Sequence, residues 1–141
     1  MLHKRENFRK AFDDFDFWKV AKFTVRDKKR LSTDSGIIRN QAKIVAAINN
    51  AKRFLQVRQE FGTFAKYMWS WVDGKPIINR LSRLKDYKPY SDKAVVWAKD
   101  LKERGFKFLG PTVIYSHMQA SGMVNDHIQS CFRYKELCNN K

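Results

Sequence analysis

The sequence predicts an all-α fold, and three observations carry that prediction. Apolar residues recur at helical spacing through most of the 141 residues, the six glycines and three prolines fall between those runs, and no stretch alternates apolar and polar residues as a half-buried strand would. Residues 4–15 place Phe8, Phe12 and Phe15 on one face of a first helix. Residues 17–23 form a short second segment with Trp18, Val20 and Ala21 apolar, and residues 25–31 a third. A polar break, Ser32-Thr33-Asp34-Ser35-Gly36, leads into the strongest helical pattern of the chain, residues 37–61. There Ile44, Ala47, Ile48, Ala51 and Leu55 make one stripe, and Arg39, Lys43, Lys52 and Arg58 occupy other faces.

Gly62 breaks that helix, and residues 64–72 give a short aromatic helix stopped by Asp73-Gly74-Lys75-Pro76. Residues 77–90 lack periodicity and are rich in Arg and Lys, which predicts a surface loop. Ser91 caps a helix that reaches about Arg104, with Ala94, Val95, Ala98 and Leu101 inward. Gly105 ends it. Pro111 sits in the tolerated first turn of a helix over 111–120, which Gly122 terminates. Val124-Asn125-Asp126 then opens a last helix holding His127 and Cys131. No internal repeat divides the chain, so residues 1–141 are expected to form a single helical domain.

Composition narrows the partners. A hydrophobic fraction of 43% supports a real core rather than a disordered tail. The 29 Lys and Arg against 14 Asp and Glu give a net charge of +15. Such a field draws polyanions, double-stranded DNA first among them. The cations are spread along the chain rather than gathered beside an apolar span, which argues against a membrane surface. No run has the length of a transmembrane span and no signal sequence opens the chain, so a cytoplasmic protein is expected. Two cysteines, Cys131 and Cys138, suit reduced thiols or metal ligands better than a disulfide framework.

The segment around the polar break, about 25–58, reads as a helix-hairpin-helix element. A helix that begins just after a tight turn offers free backbone N–H groups to a phosphate oxygen. Gly36 and Ile38 lie in the turn and its exit, and Arg39 and Lys43 add charge on the exposed side. Contacts of this kind hold the DNA backbone and read no sequence. By itself such a turn is more often an ordinary N-cap.

Several ordered blocks resemble the bacterial DNA-3-methyladenine glycosylase I family, of the helix-hairpin-helix glycosylases. They are Lys4-Arg5-Glu6-Asn7-Phe8-Arg9-Lys10-Ala11-Phe12, then Asp34-Ser35-Gly36-Ile37-Ile38-Arg39 with Lys43-Ile44, then residues 64–71 around Trp69-Ser70. The most specific is the block from Leu101 through Gly105-Phe106-Lys107-Phe108-Leu109-Gly110 and Tyr115-Ser116-His117-Met118-Gln119 to Val124-Asn125-Asp126-His127 and Cys131. The resemblance implies a monomeric base-excision repair enzyme that flips an alkylated nucleotide out of duplex DNA and hydrolyses the glycosidic bond of 3-methyladenine. That base is cationic and a good leaving group, so shape, stacking and a carboxylate matter more than strong acid catalysis.

The resemblance also places the family's glutamate, its stacking Trp and its pocket tyrosines ahead of Met1. It predicts a bundle lacking about the first quarter of the family domain, with no catalytic residue in this chain and activity that is low or nil. Glu6 belongs to the Lys-Arg-Glu block, and a solvated or helix-pairing role is expected of it. Ser116 lies in the block that the family holds near the base, and His117 stands where an apolar aromatic residue is usual there. The family's structural zinc is held by the residues matching His127 and Cys131 together with a Cys and a His from the N-terminal segment. This chain is therefore expected to carry half a zinc site, and Cys138 and His117 match neither missing ligand. Two other expectations stand beside the enzyme: a non-catalytic DNA-backbone binder, and a decayed fragment that self-associates. Tyr67, Trp69 and Trp71 with Phe64 read as core packing before a base-stacking platform.

Overall fold

Short helices need strong ends, and the first of them show how the sequence supplies these. In the computed structural model, which describes residues 2–139, Asp16 caps a five-residue helix by accepting the N–H groups of Trp18 and Lys19 at 2.9 and 3.2 Å. Thr24 begins the next helix by donating its N–H to the Asp27 carboxylate at 2.8 Å. The helices are α1 (Arg5–Ala11), α2 (Phe17–Ala21), α3 (Val25–Thr33), α4 (Gln41–Phe61), α5 (Phe64–Ser70), α6 (Asp92–Glu103), α7 (Pro111–Ala120) and α8 (Phe132–Asn139). Two strands, β1 (Ile77–Ile78) and β2 (Val124–Asn125), pair in parallel. The all-α reading holds apart from this small sheet. None of the described helices is long and apolar enough to cross a membrane.

The chain divides into two compact units, Met1–Phe64 with Lys102–Phe108, and Ala65–Leu101 with Leu109–Lys141. The core of the first gathers Ala11, Phe12, Val20, Leu31, Ile37, Ile44 and Ile48, with Phe8, Phe23, Ala47 and Ala51 packed against it. Each large side chain buried there contributes roughly 1.5–3 kcal/mol. α1 and α2 are joined by three consecutive left-handed residues, Asp13, Asp14 and Phe15. Across this turn Arg9 pairs with Asp14 at 2.8 Å and Phe12 stacks on Phe15 at 5.3 Å. α4 also holds the segment 102–108: Asn49 donates to the Gly105 carbonyl at 2.7 Å, and Asn50 exchanges two hydrogen bonds of 2.9 Å with the backbone of Lys107.

The second unit packs Tyr67, Trp97, Leu101, Ile114, Tyr115, Met118 and Met123. Trp71 and Trp97 stack at 6.1 Å, and Tyr67 meets both edge-on. Tyr67 and Trp71 thus serve as packing, as the sequence suggests, while Phe64 stacks on Phe54 in the first unit. On α6 the inward residues are Ala94, Trp97, Ala98 and Leu101, whereas Val95 lies exposed.

Several boundaries differ from the sequence expectation. The first helix ends at Ala11 rather than at Phe15, because Asp13, Asp14 and Phe15 turn left-handed. α4 starts at Gln41 rather than at residue 37, because Asn40 caps it by accepting the Lys43 N–H at 3.2 Å. The stretch 77–90 is not simply a loop, since Ile77 pairs with Val124 and Ile78 with Asn125. Nor does Val124 open a helix. The pairing with β1 takes up its backbone, and α8 begins only at Phe132.

Gly105 gives the fold its first test. Its φ is +91°, and a Cβ there would lie 2.6 Å from Arg53 Nε. Gly105→Ala should cost about 1–3 kcal/mol, read as a melting temperature several degrees lower in thermal denaturation. An unchanged melting temperature would show that the guanidinium moves aside and the backbone relaxes.

Candidate functional site

The hairpin between α3 and α4 is built from its turn outward. Asp34 ends α3 and accepts the Gly36 N–H on Oδ1 at 2.8 Å, an Asx turn that bends the chain back. A Cβ on Gly36 would lie 3.1 Å from that oxygen and 3.4 Å from Asn7 Cβ, so the position holds no side chain without displacing a neighbour. Ile37 then drops into the core at 2% exposure, and Ile38 points outward at 45%. Arg39 and Lys43 are both exposed, one turn apart at the start of α4. The turn therefore brings Ile38, Arg39 and Lys43 to one end of a 21-residue helix, whose partial positive charge adds to theirs. One detail of the expectation changes: the Gly36 N–H is taken by Asp34, and the helix N-terminus lies four residues further on.

The second unit holds the other residues singled out from the sequence. His127 Nδ1 and Cys131 Sγ are 3.8 Å apart, both half-buried. They are brought together by a loop rather than by a helix, closed where the Cys131 N–H meets the Ile128 carbonyl at 2.8 Å and the Gln129 N–H meets the Leu81 carbonyl at 2.9 Å. An imidazole nitrogen and a thiolate on neighbouring corners of a zinc tetrahedron stand about 3.6 Å apart, so this pair fits two of the four ligands. Among the described residues no third His, Cys, Asp or Glu joins them.

Two residues flanking this pair carry roles that the sequence did not reveal. Asn125 and Asp126 are 3% and 7% exposed. The Asp126 carboxylate accepts from Tyr115 Oη, from Asn79 Nδ2 at 2.6 Å and from Gln119 Nε2 at 2.8 Å. Burial, and then the hydrogen bond to this carboxylate, push the Tyr115 hydroxyl well above its ordinary pKa. Tyr115 and Gln119 are four apart on α7, a spacing that could have flagged a shared polar partner. Asn79, Tyr115 and Asp126 contribute to a cleft of about 340 Å³ that Arg80, Lys88 and Tyr90 also line.

The remaining residues separate clearly. Glu6 is exposed and pairs with Arg9 at 3.5 Å one turn along α1, as the sequence suggests. Ser116 is exposed, and its hydroxyl donates back to the Thr112 carbonyl at 3.0 Å. His117 packs edge-on against Trp97, with Nε2 3.0 Å from Met68 Sδ.

Burial lowers the pKa of His117 below its usual 6.5. The folded protein thus prefers the neutral ring, while the unfolded chain takes up the proton as pH falls through 6.5. The second unit should lose stability below that pH, and His117→Phe should lessen the loss. Melting temperatures at pH 5 and pH 8 measure this. Equal differences in the parent and the variant would mean that His117 contributes nothing to it.

Known proteins resemble this chain in sequence and in architecture. The family model described as methyladenine glycosylase matches residues 1–134. DNA-3-methyladenine glycosylase 1 of Escherichia coli strain K12 is 42% identical over 134 residues, which are 95% of this chain and 72% of that protein. The DNA-3-methyladenine glycosylase of Haemophilus influenzae is 39% identical over 131 residues, 93% of this chain and 71% of its own length. The solved structure of 3-methyladenine DNA glycosylase I from Staphylococcus aureus superposes with a TM-score of 0.88 at 38% identity, covering 93% of this chain and 70% of that one. On these matches the chain belongs to the methyladenine glycosylase family.

Proposed function

We propose that this chain serves base-excision DNA repair as a 3-methyladenine DNA glycosylase, hydrolysing the N-glycosidic bond of 3-methyladenine in alkylated double-stranded DNA. The observation that carries this reading is the 42% identity sustained over 134 residues with a protein named for that activity. A net charge of +15 supplies the field that a polyanionic substrate requires.

In this reading the hairpin is a helix-hairpin-helix grip on the DNA backbone. Gly36 lets the turn approach a strand closely, Ile38 makes the apolar contact, and Arg39 and Lys43 neutralise phosphates. Ser116 belongs to the base pocket, where its hydroxyl oxygen keeps lone pairs free for an amino group on the base. No residue of this chain is assigned the reacting carboxylate. His127 and Cys131 are two ligands of a structural zinc, which would tie the loop over 126–131 to the rest of the site. The protein acts as a monomer in the cytoplasm, where the thiols of Cys131 and Cys138 stay reduced.

Release of free base from duplex DNA bearing 3-methyladenine tests the reading. Accumulation of 3-methyladenine is the expected result. Duplex binding without release would instead favour a DNA-backbone-binding protein with no enzymatic role. The hairpin makes a separate prediction. Arg39→Ala with Lys43→Ala should flatten the slope of log affinity against log salt by about 1.8 for duplex DNA of any sequence, while leaving the melting temperature within about 1 °C. An unchanged slope would remove these two residues from the interface.

A further inference from the structure

Trp18 lies in α2 and is 51% exposed, although Val20 and Ala21 of the same short helix are buried. Packing does not require it there. Phe17 beside it closes α2 onto α4 by meeting Phe54 at 4.7 Å, and Phe54 in turn stacks on Phe64 at 4.4 Å. What Trp18 does hold is a cation. The Arg58 guanidinium, in the last turn of α4, lies 5.3 Å over the Trp18 ring and 5.4 Å over the Phe17 ring. Two aromatic rings fix it, so it has little freedom left to lose on binding. Among the described residues no carboxylate pairs with Arg58, and Glu60, two positions on, is taken by Arg104 at 2.7 Å.

Trp18 and Arg58 line a cleft of about 460 Å³ with Leu55, Gln56, Gln59 and Gly62. No acid is among them. The volume is that of a small-ligand site, and the lining offers three kinds of contact together. An indole face stacks on a base of any identity. A guanidinium edge donates two parallel bonds to a phosphate. The amide of Gln59 can donate and accept at a base edge, and that of Gln56 keeps its NH₂ for the purpose, since its oxygen accepts from Arg53 at 3.1 Å. Lys22, exposed and four residues after Trp18, adds charge on the same side. The C-terminal end of α4 is partly negative, and the full charge of Arg58 outweighs it.

We propose that this cleft is a binding site for an unpaired nucleotide, its base stacked on Trp18 and its phosphate held by Arg58. The net charge of +15 favours a nucleic acid over an aromatic or proline-rich peptide as the occupant. The site is separate from the hairpin. Lys43 and Arg58 both lie on α4, roughly 22 Å apart along its axis. A single-stranded stretch therefore has its own seat on the first unit, at the opposite end of α4 from the grip proposed for duplex DNA.

Fluorescence anisotropy of a short labelled oligothymidylate, titrated with the 141-residue chain, tests the proposal. Trp18→Leu keeps an apolar side chain but removes the stacking face, and should weaken binding about 5- to 100-fold. Trp18→Phe should restore most of it. Arg58→Ala should weaken binding and flatten the slope of log affinity against log salt by about 0.7. Both losses should recur in a chain that also carries Arg39→Ala and Lys43→Ala, and Trp18→Leu should leave the affinity for a blunt duplex within twofold of the parent. Thermal melting establishes that each variant folds; if Trp18→Leu does not, Arg58→Ala carries the test. A folded Trp18→Leu or Arg58→Ala variant that binds the oligothymidylate within twofold of the parent overturns the proposal. So does a parent that does not bind it, or an equal loss for the blunt duplex, which would make Trp18 part of a general DNA face.

Discussion

A loop that offers cations to a polyanion gains affinity only to the degree that it does not surrender its own freedom on binding. In the first unit that freedom is removed largely by one side chain. Ile37 is buried with Leu31, Ile44 and Ile48, so it ties the turn to the helix before it and the helix after it. The neighbouring residues follow from that anchor. Gly36 must be small because Asp34 and Asn7 crowd it, and Ile38 must face outward because Ile37 faces in. Arg39 and Lys43 then stand at the start of a long helix, where the backbone dipole favours the same anionic partner as their own charges.

The second unit depends on polar groups buried in pairs. A buried carboxylate is costly unless donors surround it, and Asp126 receives three, from α7 and from the residue that follows β1. Asn125 beside it is satisfied by the His127 N–H in the loop and by the Tyr134 carbonyl in α8. These bonds, more than apolar packing, decide where the segment after β2 runs. A half-satisfied network of this kind would be worse than an apolar one, which accounts for two adjacent polar residues in the interior.

Much of this was legible from residue spacing, and the failures have physical causes. α7 was found to the residue, because Pro111 and Gly122 mark its ends unambiguously. The start of α4 was misplaced by four residues, since Ile37 and Ile38 continue an apolar pattern although Asn40 is the true cap. β1 and β2 are two residues long, too short for alternation to register, and their partners lie 47 positions apart. Four-residue spacing suggested one face of a helix for His127 and Cys131, whereas a hydrogen-bonded loop brings them together. Asn125 and Asp126 were visible as letters but not as buried groups, because the donors to Asp126 and the Tyr134 carbonyl that Asn125 reaches lie elsewhere in the chain.

In the proposed function the hairpin holds duplex DNA, with the fold beneath it already in place. Backbone hydrogen exchange of the protein, alone and with a saturating alkylated duplex, tests that claim most directly. Protection is expected to rise at residues 34–43 on adding DNA, while the stretch of α4 that buries Ile44, Ala46 and Ile48 is already protected without it. Protection that rises elsewhere and leaves residues 34–43 unchanged would contradict it.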